Sequence, residues 1–94
     1  MNKRRLLGKV LAGSKSIRFG EFVSLLEALG FSLSRVNGSH HIFRHPQVAE
    51  MVNIQEVRGE VKPYQVRQVV GLIESYGLTL GEGQDVSAEE EEGE

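Results

Sequence analysis

A chain of 94 residues without cysteine has room for one small domain, and neither disulfides nor thiolate metal sites can staple it. No apolar run approaches the roughly 20 residues that cross a bilayer, and the basic start Met1-Asn2-Lys3-Arg4-Arg5 gives way at Leu6-Leu7-Gly8-Lys9 before a signal-peptide core forms, so a cytoplasmic protein with no membrane contact is expected. The net charge of −2 hides an asymmetry: seven of the 13 acidic residues lie in 82–94, leaving 11 basic against six acidic groups in the first 81, a net of +5. A basic body favours an anionic partner, of which nucleic acid is the commonest.

In chain order, Leu6, Leu7, Val10 and Leu11 stand at helical spacing until Gly13-Ser14. This predicts a short helix within residues 1–16, flanking the domain rather than building its core. Phe19, Phe22, Val23, Leu26 and Leu29 then form the stripe of an amphipathic helix. Gly30 follows as the residue able to close it in a left-handed conformation. Phe31 to Val36 alternates apolar and polar, as a half-buried strand does. Asn37-Gly38 marks a tight turn, Ser39 to His45 returns as a second strand, and Pro46 stops it. Met51 to Ile54 reads as a third strand. The last helix starts near Lys62-Pro63, carries Val66, Val69, Val70, Ile73 and Tyr76 on one stripe, and ends at Gly77. Residues 81–94 are dominated by acidic and small residues and repel themselves, so disorder is expected there, with the acidic charge screening the basic body.

These elements predict an α+β domain over residues 1–80: α-β-β-β-α with an extra N-terminal helix, and a three-stranded antiparallel sheet with its helices on one face. That is the element order of a double-stranded-RNA-binding domain. The opposite face of the sheet is left open.

All three histidines, His40, His41 and His45, fall within the segment Gly38-Ser39-His40-His41-Ile42-Phe43-Arg44-His45. Which of them reaches the open face depends on the hairpin register. A turn at Asn37-Gly38 would pair Arg35 with His40 and place both with Phe31 and Leu33. A three-residue loop, Val36-Asn37-Gly38, would pair Arg35 with Ser39 and collect Leu33, His41 and Phe43 on the core face, with His40, Ile42 and Arg44 opposite. Burying a large apolar side chain gains roughly 1.5–3 kcal/mol and burying an unpaired charge costs more, so the second register is preferred. It sets His40 and Arg44 side by side on the open face, joined by Asn53 if Val52 and Ile54 face inward.

Three chemistries can be asked of these residues. A metal site needs converging ligands, but successive residues on a strand point to opposite faces, so at most two of the histidines converge, and no carboxylate stands near them in the chain until Glu50. A hydrolytic nucleophile needs a base beside it, and Ser39 and His40 point apart; the only aspartate, Asp85, lies in the tail. Cleavage of RNA asks for less, because the 2′-hydroxyl is the substrate's own nucleophile. An exposed imidazole to take its proton and cations to hold the phosphate suffice in outline. His40 has that chemistry, with Arg35, Arg44 and Lys62 as candidate phosphate contacts and Arg67 as a further one. Backbone N–H groups at the helix start Lys62-Pro63-Tyr64 can add to them. A plain surface histidine on a basic domain would carry the same spacing.

Gly30-Phe31, Arg35, Gly38-Ser39-His40, Phe43 and Arg44-His45-Pro46, in that order, resemble the HicA family of bacterial toxins from about Phe19 to Leu78. The resemblance implies the double-stranded-RNA-binding-like fold and a ribosome-independent mRNA endonuclease of a type II toxin–antitoxin pair. It implies mRNA as substrate, a HicB-type antitoxin as protein partner, and neither metal nor cofactor. The family's essential histidine falls on His40. Many members place a Pro-x-His step after the third strand; here that place reads Asn53-Ile54-Gln55, so the general acid is unassigned. Two other readings stand beside the toxin nuclease: an RNA-binding module of the same fold that does not cut, and a protein-interaction domain docking through the open sheet face.

Overall fold

The computed structural model describes residues 2–81, in the order α1 (Lys3–Leu11), α2 (Phe19–Ala28), β1 (Ser32–Asn37), β2 (His40–His45), β3 (Val48–Gln55) and α3 (Pro63–Tyr76). The strands form one antiparallel sheet in the order β1-β2-β3. This is the expected α+β arrangement. The disorder expected of the acidic tail falls, beyond Gly81, outside the described residues.

One core joins the layers. Phe22, Leu25 and Leu26 of α2 and Val66, Val69, Leu72 and Ile73 of α3 close on Phe43, Val52 and Ile54 of the sheet. Each large side chain so buried contributes roughly 1.5–3 kcal/mol. The expected stripe of α3 is shifted at its end: Leu72 is buried, while Tyr76 is 39% exposed. α1 corrects the reading of a mere flank. Asn2 caps it, its Oδ1 accepting the Arg5 N–H at 2.8 Å, and Leu6 and Val10 are 1% and 0% exposed within the core. These two residues share one face of the helix and fill the space that α2 and α3 leave between them.

α2 ends as its sequence predicts. Gly30 adopts φ +105°, its N–H bonds the Glu27 carbonyl at 3.0 Å, and the Phe31 N–H bonds the Leu26 carbonyl at 2.9 Å. This is a Schellman closure. The same glycine is needed for a second reason: a Cβ at position 30 would stand 2.7 Å from His45 Nε2.

The hairpin differs from both expected registers. The turn is Gly38-Ser39, with Asn37 paired to His40, Val36 to His41 and Arg35 to Ile42. Gly38 has φ +64°, and Ser39 has no positive φ. That combination suits a two-residue II′ turn, which wants glycine at its first central position. A bulge between Leu33 and Arg35 then restores Leu33 opposite Phe43. Arg35, expected on the core face, therefore sits opposite Ile42 on the open one. The inward and outward faces of β2 are nevertheless as burial predicted. Phe43 is in the core and His41 is half-buried, while His40 and Arg44 are exposed.

β1 contributes less than its alternation suggests. All six of its residues are exposed, Leu33 and Val36 to 48% and 52%. It is an edge strand, and the helices cover β2 and β3 instead. β3 is longer than Met51–Ile54: it begins at Val48, a core residue paired with His45, and runs to Gln55, paired with His40.

Candidate functional site

His40 opens β2 directly after the Gly38-Ser39 turn. Its ladder partner on β3 is Gln55, and its diagonal neighbour on the same face is Asn53. His40 Nδ1 lies 3.0 Å from Asn53 Oδ1. Val52 and Ile54, on either side of Asn53, are both fully buried, so the backbone that carries the amide is anchored in the core. Gln55 is engaged elsewhere: its Nε2 donates to Ser39 Oγ at 3.0 Å, tying the turn to the end of β3.

The cations divide into two groups. Arg44 lies on the His40 face of β2, and Arg35 joins that face from β1 through its pairing with Ile42. Both are exposed. Ile42, paired with Arg35 and two residues before Arg44, is 8% exposed although it lies outside the core cluster. Lys62 is the N-cap of α3, half-buried, with Nζ 5.8 Å from the ring centre of the exposed Tyr64. Arg67 is not brought to this face. It lines a groove of about 470 Å³ between α1 and α3, with Val10, Leu11, Pro63 and Val70, on the side of the sheet where the helices pack.

Gln65 explains how the start of α3 is held near His40, and sequence reasoning missed it. It is 3% exposed, the one buried polar side chain among the described residues. Its Oε1 accepts from the Gln55 N–H at 3.2 Å and the Lys62 N–H at 3.3 Å. The second of these is the returning half of a capping box, in which the N3 side chain accepts from the N-cap backbone. The available signal was a glutamine three residues after the candidate N-cap, obscured because Lys62 is not a capping residue type. Through this oxygen the end of β3, which pairs with His40, is fixed to the helix N-terminus.

The other two histidines face away from His40. His41 stands edge-on to Phe19, ring centres 5.0 Å apart, and its Nδ1 is buried with no hydrogen-bond partner. His45 is pinned at both nitrogens, by the Leu29 carbonyl at 3.0 Å from Nε2 and by the Gln47 N–H, which donates to Nδ1 at 3.0 Å. Its ring also meets Phe31 edge-on at 5.0 Å. Among the described residues no group of three or more His, Asp or Glu side chains comes together as a metal site would require.

Residues 19–78 match the family model described as the HicA toxin of bacterial toxin–antitoxin systems. No curated protein and no solved structure matches the chain.

Proposed function

The chain belongs to the HicA toxin family, toxins of bacterial toxin–antitoxin systems, and from that premise we propose that it is an endoribonuclease that cleaves mRNA with His40 as general base. The unprotonated ring nitrogen of His40 removes the proton of a ribose 2′-hydroxyl. The 2′-oxygen attacks the adjoining phosphorus, the bond from phosphorus to the 5′-oxygen breaks, and a 2′,3′-cyclic phosphate and a 5′-hydroxyl result. The leaving oxygen takes its proton from water, and Arg35 and Arg44 balance the charge that builds on the phosphate. Lys62, at the helix start that Gln65 ties to the same end of the sheet, extends the phosphate track. A HicB-type antitoxin neutralises the toxin, and mRNA and antitoxin meet it in the cytoplasm.

One arrangement carries the reading: an exposed imidazole on the uncovered sheet face, with two arginines on that same face. The test is induction of the chain in cells, which should arrest growth and degrade mRNA, together with His40→Ala, which should lower cleavage by orders of magnitude and leave RNA affinity intact. Retained cleavage in that variant would remove His40 from the chemistry. One observation favours a second reading, an RNA-binding module that does not cut. Gln55, which is no proton donor in acid–base catalysis, stands beside His40 and is committed to Ser39. Under that reading the unsubstituted protein binds RNA and leaves it whole.

A further inference from the structure

We infer that Asn53 is a positioning residue that sets the tautomer of His40, holding the ring proton on Nδ1 and leaving the lone pair on Nε2. The value of this for catalysis rests on the nuclease reading; the tautomer itself does not. An amide oxygen only accepts hydrogen bonds, so the nitrogen 3.0 Å from Asn53 Oδ1 must be the one that donates. A neutral imidazole has a single N–H. With that hydrogen on Nδ1, Nε2 is unprotonated and free to take a proton. The free side chain prefers the opposite arrangement, with hydrogen on Nε2, so an exposed His40 without Asn53 would present the wrong nitrogen for most of the time.

The surroundings give no other group this task. The ladder neighbours of His40 are Asn37 on β1 and Gln55 on β3, and the Gln55 amide is engaged with Ser39. The charged groups on the same face are Arg35 and Arg44, which cannot accept from an N–H. Asn53 is also well placed to hold one geometry. Its neighbours Val52 and Ile54 are both 0% exposed, so the backbone beneath it is fixed. A neutral acceptor has a further consequence. A carboxylate at the same place would favour the imidazolium and leave less of the ring unprotonated to act as base, whereas an amide orients the ring without adding charge.

The experiment is a two-bond proton–nitrogen NMR correlation of the histidine rings in the full chain, at a pH where they are neutral. It is recorded for the unsubstituted protein, Asn53→Ala and Asn53→Asp. His40 should show a protonated Nδ1 in the unsubstituted protein and in Asn53→Asp, and mainly a protonated Nε2 in Asn53→Ala. His45 serves as the internal reference and should not change. In RNA cleavage, Asn53→Ala should lower kcat by roughly 3- to 10-fold with little change in KM, the loss expected when a general base keeps its place but not its orientation. Asn53→Asp should move the acidic limb of the pH–rate profile upward by about one unit, as a nearby opposite charge does. A protonated Nε2 in the unsubstituted protein, or a tautomer indifferent to Asn53→Ala, overturns the inference even if His40 proves essential for cleavage. If the tautomer follows Asn53 but none of the proteins cuts RNA, the positioning role holds and the nuclease reading fails.

Discussion

The two ends of β2 carry the same side chain in opposite circumstances. At the start of the strand, His40 is exposed on the open face and meets a carbonyl oxygen through Nδ1. At its end, His45 is half-buried and meets a backbone N–H through Nδ1 and a backbone carbonyl through Nε2. An N–H facing Nδ1 requires a lone pair there, so the proton of His45 sits on Nε2. The two rings are thus locked in opposite tautomers by what each Nδ1 faces. At one end the imidazole keeps a free nitrogen, as chemistry requires. At the other, both nitrogens are used to fasten the β2–β3 turn to the end of α2, and none is left for a substrate.

Substitutions that treat the two histidines alike break or sharpen this contrast. His40→Ala has the largest expected effect: cleavage should fall by about 10²- to 10⁴-fold, the usual contribution of general base catalysis, as read by single-turnover assays. Its stability should stay within about 0.5 kcal/mol of the unsubstituted protein, since the ring is exposed. His45→Ala should do the reverse. It strands the Leu29 carbonyl and the Gln47 N–H and removes an edge-on ring contact, for a loss of about 2 kcal/mol in denaturant unfolding, with cleavage per folded molecule unchanged. Gly30→Ala should cost about 1–2 kcal/mol for its left-handed backbone, and more because the added carbon drives the His45 ring off the Leu29 carbonyl. In the His45→Ala background that second part should vanish, giving a coupling of about 0.5–1 kcal/mol in a double-mutant cycle; strict additivity would show that the close approach costs nothing. Smallest, Arg44→Ala should weaken RNA binding and reduce its salt slope by about 1, whereas Arg67→Ala, in the groove between the helices, should leave both unchanged.

The contrast was only partly legible in the letters. Helix stripes such as Phe22 and Leu26 on α2, with Leu29 at its C-cap, gave the layers, because apolar spacing is dictated by burial. The outward direction of His40 followed from the need to bury Phe43. The turn was placed too early, as the loop Val36-Asn37-Gly38, because Asn37-Gly38 and Gly38-Ser39 are both acceptable turn pairs, and only long-range pairing chooses between them. The bulge after Leu33, which brings Arg35 to the His40 face, leaves no mark in an alternating Ser-Leu-Ser pattern. α1 looked peripheral because Leu6 and Val10 make a short stripe, and what they bury against is set by two helices distant in the chain. The roles of Asn53 and Gln65 depend on distances between side chains of different elements, which spacing within one element does not encode.

β1 has a consequence for how the protein fluctuates. None of its six residues is buried, so lifting it from β2 breaks backbone ladder bonds but takes no side chain of its own out of the core. Such segments open at a free energy below that of global unfolding. The flank of the hairpin beside His40 is therefore the part of the sheet that breathes most readily. Amide exchange along Ser32–Asn37 reports on that local excursion while β3 stays shut beneath it.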